Sequence, residues 1–222
     1  MQSQNPKWTT RLLLLFVVAA VCMLCISLGS VALPLSNILE VIRHGILGQP
    51  MPKGISAGII WSVRLPRVLC SAMCGAALAL SGAAMQGLLK NPLADGSTMG
   101  VSSGASLGAV VAILMGIEFK NIPLNGTMLM AVAFALVSLL LVLGLTYALD
   151  KNFSASTIIL IGVIFSMFVN AVLSLLITFS GEKLRTITFW TMGSLAGSTF
   201  ANAFVLLVAL LVFGGMLRAQ AT

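Results

Sequence analysis

The sequence predicts an all-α protein, a polytopic transmembrane helix bundle of about six spans. Of its 222 residues, 59% are hydrophobic and only 8% are charged, whereas an ordinary soluble domain is about 25% charged. Intrinsic disorder is excluded as well, because disordered chains combine low hydrophobicity with high net charge. The 12 Lys and Arg residues are scattered along the chain, so no nucleic-acid partner is expected. We therefore expect a multi-pass membrane protein in contact with membrane lipid.

Charged residues divide the chain into runs that are long enough to cross a membrane. A hydrocarbon core of about 30 Å requires about 20 apolar helical residues, and the uncharged runs reach that length. Lys7 and Arg11 precede the first run as in a signal peptide, but the run is longer than a usual signal core, which favours an uncleaved helix. Residues 1–222 are predicted to form a single transmembrane domain. The expected spans are approximately 12–33, 68–89, 98–117, 124–148, 155–180 and 190–217.

Small residues recur at every fourth position in the second and third expected spans. Helices in lipid associate through close packing, and small side chains gather where they touch. Both rows therefore predict helix–helix contacts, without indicating a function. They comprise Gly75, Ala79, Ala83 and Gly87 in the second span, and Gly100, Gly104 and Gly108 in the third.

The fifth expected span carries a polar residue at every fourth position, namely Ser166, Asn170, Ser174 and Thr178. Four residues turn an α-helix by about 400°, so this row stays on one half of the helix surface. A polar helix face inside a bundle either bonds to another helix or borders water and solute. We favour the solute pathway.

The acidic residues and the single histidine limit the chemistry of this chain. All 5 acids lie at span ends or in loops, so none is placed to act as the buried carboxylate that ion-coupled carriers use. The sequence also lacks the GxxxxGK[ST] loop that cradles nucleotide phosphates. We expect no catalytic residues, no metal ligands and no cofactor bound by this chain. A solute pathway of this kind indicates a channel, or a transporter powered by another subunit.

The distribution of positive charge raises a question about topology. With the N-terminus inside, more Lys and Arg residues fall outside than inside, against the positive-inside rule. Either the rule fails for this protein, or some of the outer cations have another role. The outer cations would be Arg43, Lys53, Arg64, Arg67, Lys120, Lys183 and Arg185.

The most specific motif spans residues 64–108 and reads RLPRVLCSAMCGAALALSGAAMQGLLKNPLADGSTMGVSSGASLG. It resembles the signature of FecCD-type permeases, the membrane subunits of ABC importers for iron–siderophores, haem and cobalamin. A second match, TFWTMGSLAGSTF, is similar to the segment that enters the sixth helix of that family. One departure is Gly96, where the family commonly has proline.

The resemblance implies roles for particular residues. Arg64 and Arg67 of RLPR would lie at the outer end of the second helix and pair with acidic residues of a substrate-binding protein. Asn91 and Leu93 of NPLA would belong to the cytoplasmic gate, and Ala155 and Ser156 to a second gate constriction. The polar row of the fifth span would line the translocation path.

The resemblance also implies partners. The chain would be a permease subunit in the bacterial inner membrane, with its N-terminus in the cytoplasm, and would not itself be an enzyme. It would assemble with ABC ATPase subunits that bind ATP and Mg²⁺, with a periplasmic or lipid-anchored substrate-binding protein, and with a second permease copy or paralogue. Its solute would be an iron chelate.

Family permeases have ten helices and a coupling segment after the sixth, whereas this sequence ends at GGMLRAQAT. It is therefore expected to be truncated on the C-terminal side relative to the family. Two alternatives remain beside a working permease. In the first, the chain would be a non-functional remnant or one half of a split permease. In the second, it would be a small channel or membrane scaffold that needs no ATPase.

Overall fold

A computed structural model describes residues 8–29, 31, 33–52, 54–117 and 126–220. Throughout these residues the secondary structure is helical, joined by turns, and includes no strand. The chain divides into two compact units: residues 1–76 with 195–219, and residues 77–194 with 220–222. The prediction of an all-α membrane protein is confirmed.

The first unit is built around a membrane-length helix and a short amphipathic one. Ile38 and Val41 of the short helix are buried, and they pack in one cluster with Ile26 and Ile60. Gly45, which also belongs to the short helix, leaves room for the Trp61 ring. The helices that begin or lie in this unit are α1 (Trp8–Ser27), α2 (Leu35–Ile46), α3 (Ile55–Gly58), α4 (Leu65–Leu89) and α9 (Phe200–Gln220).

A π-helical turn, Ile59–Arg64, joins α3 to α4, so that Ile55–Leu89 forms a continuous helix of 35 residues. The turn ends two residues before Pro66. Proline has no N–H and its ring clashes with the preceding helical turn, and a π-bulge is one of the recognised ways in which a helix accommodates such a disruption. The expected start of the second span, near residue 68, was therefore too late. The RLPR segment lies inside a helix and not at its end.

The helices of the second unit pack around buried apolar clusters. Val110, Val169, Leu173 and Ile187 form one buried cluster, drawn from three of its helices. After residue 77 the unit includes the rest of α4, then α5 (Val101–Met115), α6 (Gly126–Leu149), α7 (Ala155–Thr178), a 3₁₀ turn (Gly181–Lys183) and α8 (Leu184–Met192).

The structure has five helices long enough to cross a membrane within the described residues, and not six. The third expected span, 98–117, is the 15-residue helix α5. It is short because glycines in the left-handed conformation, Gly100 (φ 73°) and Gly116 (φ 65°), flank it at each end. At 1.5 Å per residue it is only about 22 Å long.

The two glycine rows have different environments in the structure. Gly100, Gly104 and Gly108 are buried; a Cβ atom at Gly108 would overlap the Met130 carbonyl oxygen of α6 and lie 2.6 Å from the Phe134 Cβ. In the other row, Gly75, Ala79, Ala83 and Gly87 are all exposed, and a Cβ atom at Gly75 or Gly87 would meet nothing within 4 Å. The α5 row is therefore an internal packing surface, whereas the residues of the α4 row are exposed.

Helix boundaries also differ from the other expected spans. The first expected span, 12–33, extends beyond the end of α1 into the segment that connects α1 to α2. Residues 30 and 32 of that segment lie outside the described part. The fourth, 124–148, matches α6 from residue 126 onward, with residues 124 and 125 outside the description. The fifth and sixth correspond to Ala155–Thr178 and Phe200–Gln220, while residues 190–192 belong to α8.

Candidate functional site

The loop between α4 and α5 is folded around the side chain of Asp95. One carboxylate oxygen, Oδ1, accepts hydrogen bonds from the Ser97 N–H (2.8 Å), the Ser97 hydroxyl (2.6 Å) and the Thr98 N–H (3.0 Å). The Ser97 hydroxyl is the largest factor that lowers the pKa of Asp95 below its ordinary value. Because these bonds close within the loop, the loop has a defined conformation before α5 begins.

Asp150 organises the loop between α6 and α7 in the same way. Its carboxylate accepts hydrogen bonds from the Asn152 N–H (2.9 Å), the Ser154 N–H (3.0 Å) and the Ser154 hydroxyl (2.5 Å). These bonds favour the ionised form, with the Ser154 hydroxyl making the largest contribution, and they lower the pKa of Asp150 from 3.8 to about 2. The charged carboxylate therefore stabilises this turn.

We expect acid to weaken the Asp150 turn. The pKa is lower in the folded protein than in the unfolded chain, so the stabilisation is complete above the unfolded value of 3.8 and is lost as the pH falls toward about 2. Thermal unfolding in detergent, measured from pH 5 to pH 2, should show a smaller pH dependence in Asp150→Asn than in the wild type. An identical pH dependence in the two proteins would contradict this assignment.

The two predicted gate segments meet in the second unit. Asn91 folds back on its own loop, since its Oδ1 accepts a hydrogen bond from the Leu93 N–H at 2.9 Å. The Leu93 side chain is 86% exposed, so it is free to contact another surface. Ala94, the next residue, is buried in a cluster that includes Ile158 and against which Ala155 packs. The structure thus places the NPLA loop against the first turn of α7, where Ser156 is exposed.

The polar row of α7 divides into one enclosed and three exposed residues. Asn170, Ser174 and Thr178 are exposed; the Ser174 and Thr178 hydroxyls donate to the carbonyls four residues earlier, at 2.9 and 2.8 Å. The Ser166 hydroxyl oxygen is instead buried without a hydrogen-bond partner, beside Gly100 at the start of α5. The open polar face of the helix therefore consists of the last three residues, with the Asn170 amide as its most polar group.

The side chain of Arg64 caps the carboxyl end of α1. Its guanidinium donates hydrogen bonds to the carbonyls of Ile26 (2.7 Å), Ser27 (3.0 Å) and Val31. The last carbonyls of an α-helix have no partner within the helix and carry partial negative charge. Gly29 permits the approach, because a Cβ atom there would lie 2.6 Å from Arg64 Nη2. No signal in the sequence indicates this role, since Arg64 and Ile26 are 38 residues apart.

Lys183 has the equivalent position at the end of α5. Its ammonium group donates a hydrogen bond to the Leu114 carbonyl at 2.8 Å. Arg185 lies over the ring of Phe189, 5.6 Å from the centroid, and Arg43 lies in the last turn of α2, where positive charge is favourable. These contacts give local roles to three of the cations that would lie outside if the N-terminus lies inside. Lys53 and Lys120 lie outside the described residues.

Arg67, the second arginine of RLPR, differs from Arg64. It is exposed, and in the described part of the chain its guanidinium has neither a hydrogen-bond nor an ion-pair partner. The structure thus separates two residues that the sequence motif presents as a pair. Arg64 is bound to the backbone of α1, whereas Arg67 is free to bind an external anion.

Comparison with protein-family models shows which family this chain belongs to. The model of the FecCD transport family matches residues 14–221. The chain belongs to the FecCD transport family. The resemblance carried by the RLPR, NPLA and TFWTMGSL segments is thereby confirmed.

Two relatives illustrate how this FecCD chain compares with others. It is 39% identical over 197 residues to the uncharacterized ABC transporter permease protein YvrB of Bacillus subtilis, with 87% of this chain and 55% of the relative covered. It is 36% identical over 163 residues to the cobalamin import system permease protein BtuC of Halobacterium salinarum, covering 73% and 43%. The chain therefore spans about half the length of these relatives.

A solved structure shares the fold of this FecCD protein. It is described as an inward-facing conformation of a metal-chelate type ABC transporter, and it superposes with a TM-score of 0.75 at 30% identity. The match covers 96% of this chain and 62% of that chain. The helices described above therefore follow the family fold over nearly all of this chain.

Proposed function

We propose that this chain is a membrane permease subunit of an ABC importer in the bacterial inner membrane, powered by ATP hydrolysis in a separate subunit. The observation that carries the proposal is the family match over residues 14–221. The relatives support it by name, since YvrB and BtuC are both permease proteins of ABC or import systems. The chain itself contributes helices and loops, and a partner supplies the energy.

The loops and the open face of α7 support a transport role for this chain. The Asp95 and Asp150 turns hold Leu93 and Ser156 at one end of the second unit, where both are exposed. We propose that these residues, with Asn91 and Ala155, form gate constrictions that open and close as the ATPase cycles. Asn170, Ser174 and Thr178 would border the path, and the enclosed Ser166 hydroxyl would join it when α5 and α7 move.

For the solute, we propose a metal chelate of the iron–siderophore type. Cobalamin, which a relative imports, and the metal chelates of the structural neighbour are also bulky metal complexes. The open face of α7 carries hydroxyl and amide groups but no charge, which suits passage of a large solute with few tight contacts.

Deletion of the reading frame tests this proposal in its host. Uptake of a radiolabelled ferric hydroxamate should fall, while uptake of an unrelated amino acid stays constant, and the tagged chain should co-purify with an ABC ATPase. Cobalamin, supplied in parallel, distinguishes the two solute classes. Unchanged uptake of both metal complexes, together with no ATPase in the purified complex, would reject the permease assignment.

For the substrate-binding protein, we propose that Arg67 provides the free charge of the RLPR docking site. Arg67→Glu should raise the Kd for that protein by about tenfold or more, because a carboxylate would face a carboxylate across the interface. The measurement is titration of the purified binding protein against the permease in detergent. Arg185→Glu is the matched control, since Arg185 lies outside the motif. Equal Kd values for wild type and Arg67→Glu would contradict the docking role.

A further inference from the structure

The first unit contains an open groove between α1 and the Ile55–Leu89 helix. Its volume is about 670 Å³, within the range of about 300–1,000 Å³ typical of small-molecule sites. The walls are predominantly apolar, with Val17, Val18 and Val21 on one side and Val63 and Val68 on the other. Arg64 and Arg67 also line it. The groove is therefore apolar along its length and positively charged at one position.

The positive charge lies at the end of the groove beside the carboxyl end of α1, and we take this end as the membrane boundary because α1 has the length of one span. Arg64 is bonded to the carbonyls of Ile26 and Ser27, which fixes the guanidinium at the carboxyl end of α1. From there the groove extends back along α1 to Val17, near the middle of this 20-residue helix. The distance along the helix, from Leu28 to Val17, is about 16 Å. That length matches one leaflet, which is half of a hydrocarbon core of about 30 Å.

The charge in the groove is not neutralised by the described part of the protein. The Arg64 guanidinium binds backbone carbonyls, which carry partial but no formal negative charge, and Arg67 has no acidic partner there. A planar guanidinium binds phosphate through two parallel hydrogen bonds. An occupant must therefore combine an anionic group at the boundary with an apolar part that extends about one leaflet deep.

We propose that this groove is a binding site for one anionic phospholipid. The phosphate contacts Arg67 and the N–H groups that Arg64 does not use, and an acyl chain lies between Val17, Val18 and Val21 of α1 and Val68 and Ala72 of α4. Lipid binding at this site does not require that the chain transports a solute. In a working importer, however, the lipid phosphate and the carboxylate of a binding protein would compete for the same Arg67 guanidinium.

Native mass spectrometry of the purified full chain tests the charge recognition. Phosphatidylglycerol and phosphatidylethanolamine with the same acyl chains are added at equal concentrations, without any binding protein. The wild type should retain phosphatidylglycerol about fivefold better, the factor that corresponds to about 1 kcal/mol for one basic residue beside an anionic lipid. Arg67→Gln should abolish this preference, and the matched control Arg185→Gln should keep it. Equal retention of both lipids by the wild type, or a preference that survives in Arg67→Gln, overturns the proposal.

A second measurement identifies the occupant in native membranes. A photoreactive phenylalanine analogue at position 21, within the groove, should give adducts of phospholipid mass, and Val18→Phe should reduce them by filling the groove. Val18 is 56% exposed, so a larger side chain there fits without displacing its neighbours. Crosslinks to a second polypeptide or to another copy of this chain in place of lipid would overturn the assignment.

Discussion

Replacement of Gly108 by alanine is expected to destabilise the second unit by about 1–2 kcal/mol. The added Cβ would overlap the Met130 carbonyl oxygen and lie 2.6 and 2.8 Å from Phe134 Cβ and Cγ. Overpacking of this kind costs about 1–3 kcal/mol, and the higher helix propensity of alanine recovers up to about 1 kcal/mol. Because the Met130 oxygen belongs to the backbone of α6, it cannot move away by a change of rotamer. The measurement is the free energy of unfolding in mixed micelles.

Gly87→Ala is the matched control for this experiment. Gly87 is also a helical glycine of a fourfold-spaced row, but a Cβ atom there meets nothing within 4 Å. Alanine should therefore leave stability unchanged or raise it by up to about 1 kcal/mol, through helix propensity alone. If the two substitutions had equal effects, the packing of α5 against α6 would not be as described.

Arg64→Gln is expected to be the most disruptive substitution in the first unit. It removes charge-assisted hydrogen bonds from the guanidinium to the Ile26, Ser27 and Val31 carbonyls, and hydrogen bonds to charged groups contribute about 1.5–3 kcal/mol. We expect a loss of about 2–3 kcal/mol. A thiol-reactive fluorogenic dye can report the transition through Cys70, which lies in the first unit and is buried in the folded protein.

Arg67→Gln provides the comparison for Arg64→Gln, and Arg64→Lys provides a partial rescue. Lysine retains the positive charge at the end of α1 but has a single ammonium group, so we expect it to recover about half of the loss. Arg67→Gln should change stability by less than about 0.5 kcal/mol, because Arg67 is exposed and unpaired within the described residues. Similar melting curves for the Arg64 and Arg67 variants would refute the separation of the two roles. A double variant in which Arg64 and Arg67 are both replaced by glutamate would not separate the two roles, because any loss of docking would be mixed with the loss of the Arg64 cap on α1.

Composition and spacing predicted most of the fold. The uncharged runs located the five membrane-length helices of the described residues, since length and apolarity alone decide whether a helix can span a membrane. Two features were not predictable in this way. The left-handed glycines that shorten α5 look the same in sequence as the packing glycines between them. The start of the second long helix was misplaced because Ile55–Arg64 contains polar residues and precedes a proline, which are ordinarily signs of a loop.

The candidate site was predictable where its contacts are local in sequence. Short sequence separations between an aspartate and a following serine are typical of side-chain turns. The turns formed by Asp95 with Ser97 and by Asp150 with Ser154 could therefore have been predicted from the sequence. The cap on α1 could not have been predicted in this way. Arg64 binds carbonyls that are 33–38 residues away in the sequence, and every residue has a backbone carbonyl, so no residue type indicates the contact. The periodicity of the α7 row was correct, but its slow rotation turns Ser166 toward Gly100 while the other three members remain exposed.

The π-helical turn at Ile59–Arg64 sets the angular register between the two parts of the long helix. A π turn holds about one residue more than an α turn, so it rotates everything before it by roughly 100° relative to a regular α-helix. That offset allows Trp61 to face Phe200, with ring centroids 5.0 Å apart, while Cys70, farther along the same helix, is buried. An insertion or deletion of a single codon here would therefore act as a rotation and not as a local defect. Alignments of family members should accordingly show a constant residue count between Trp61 and Pro66.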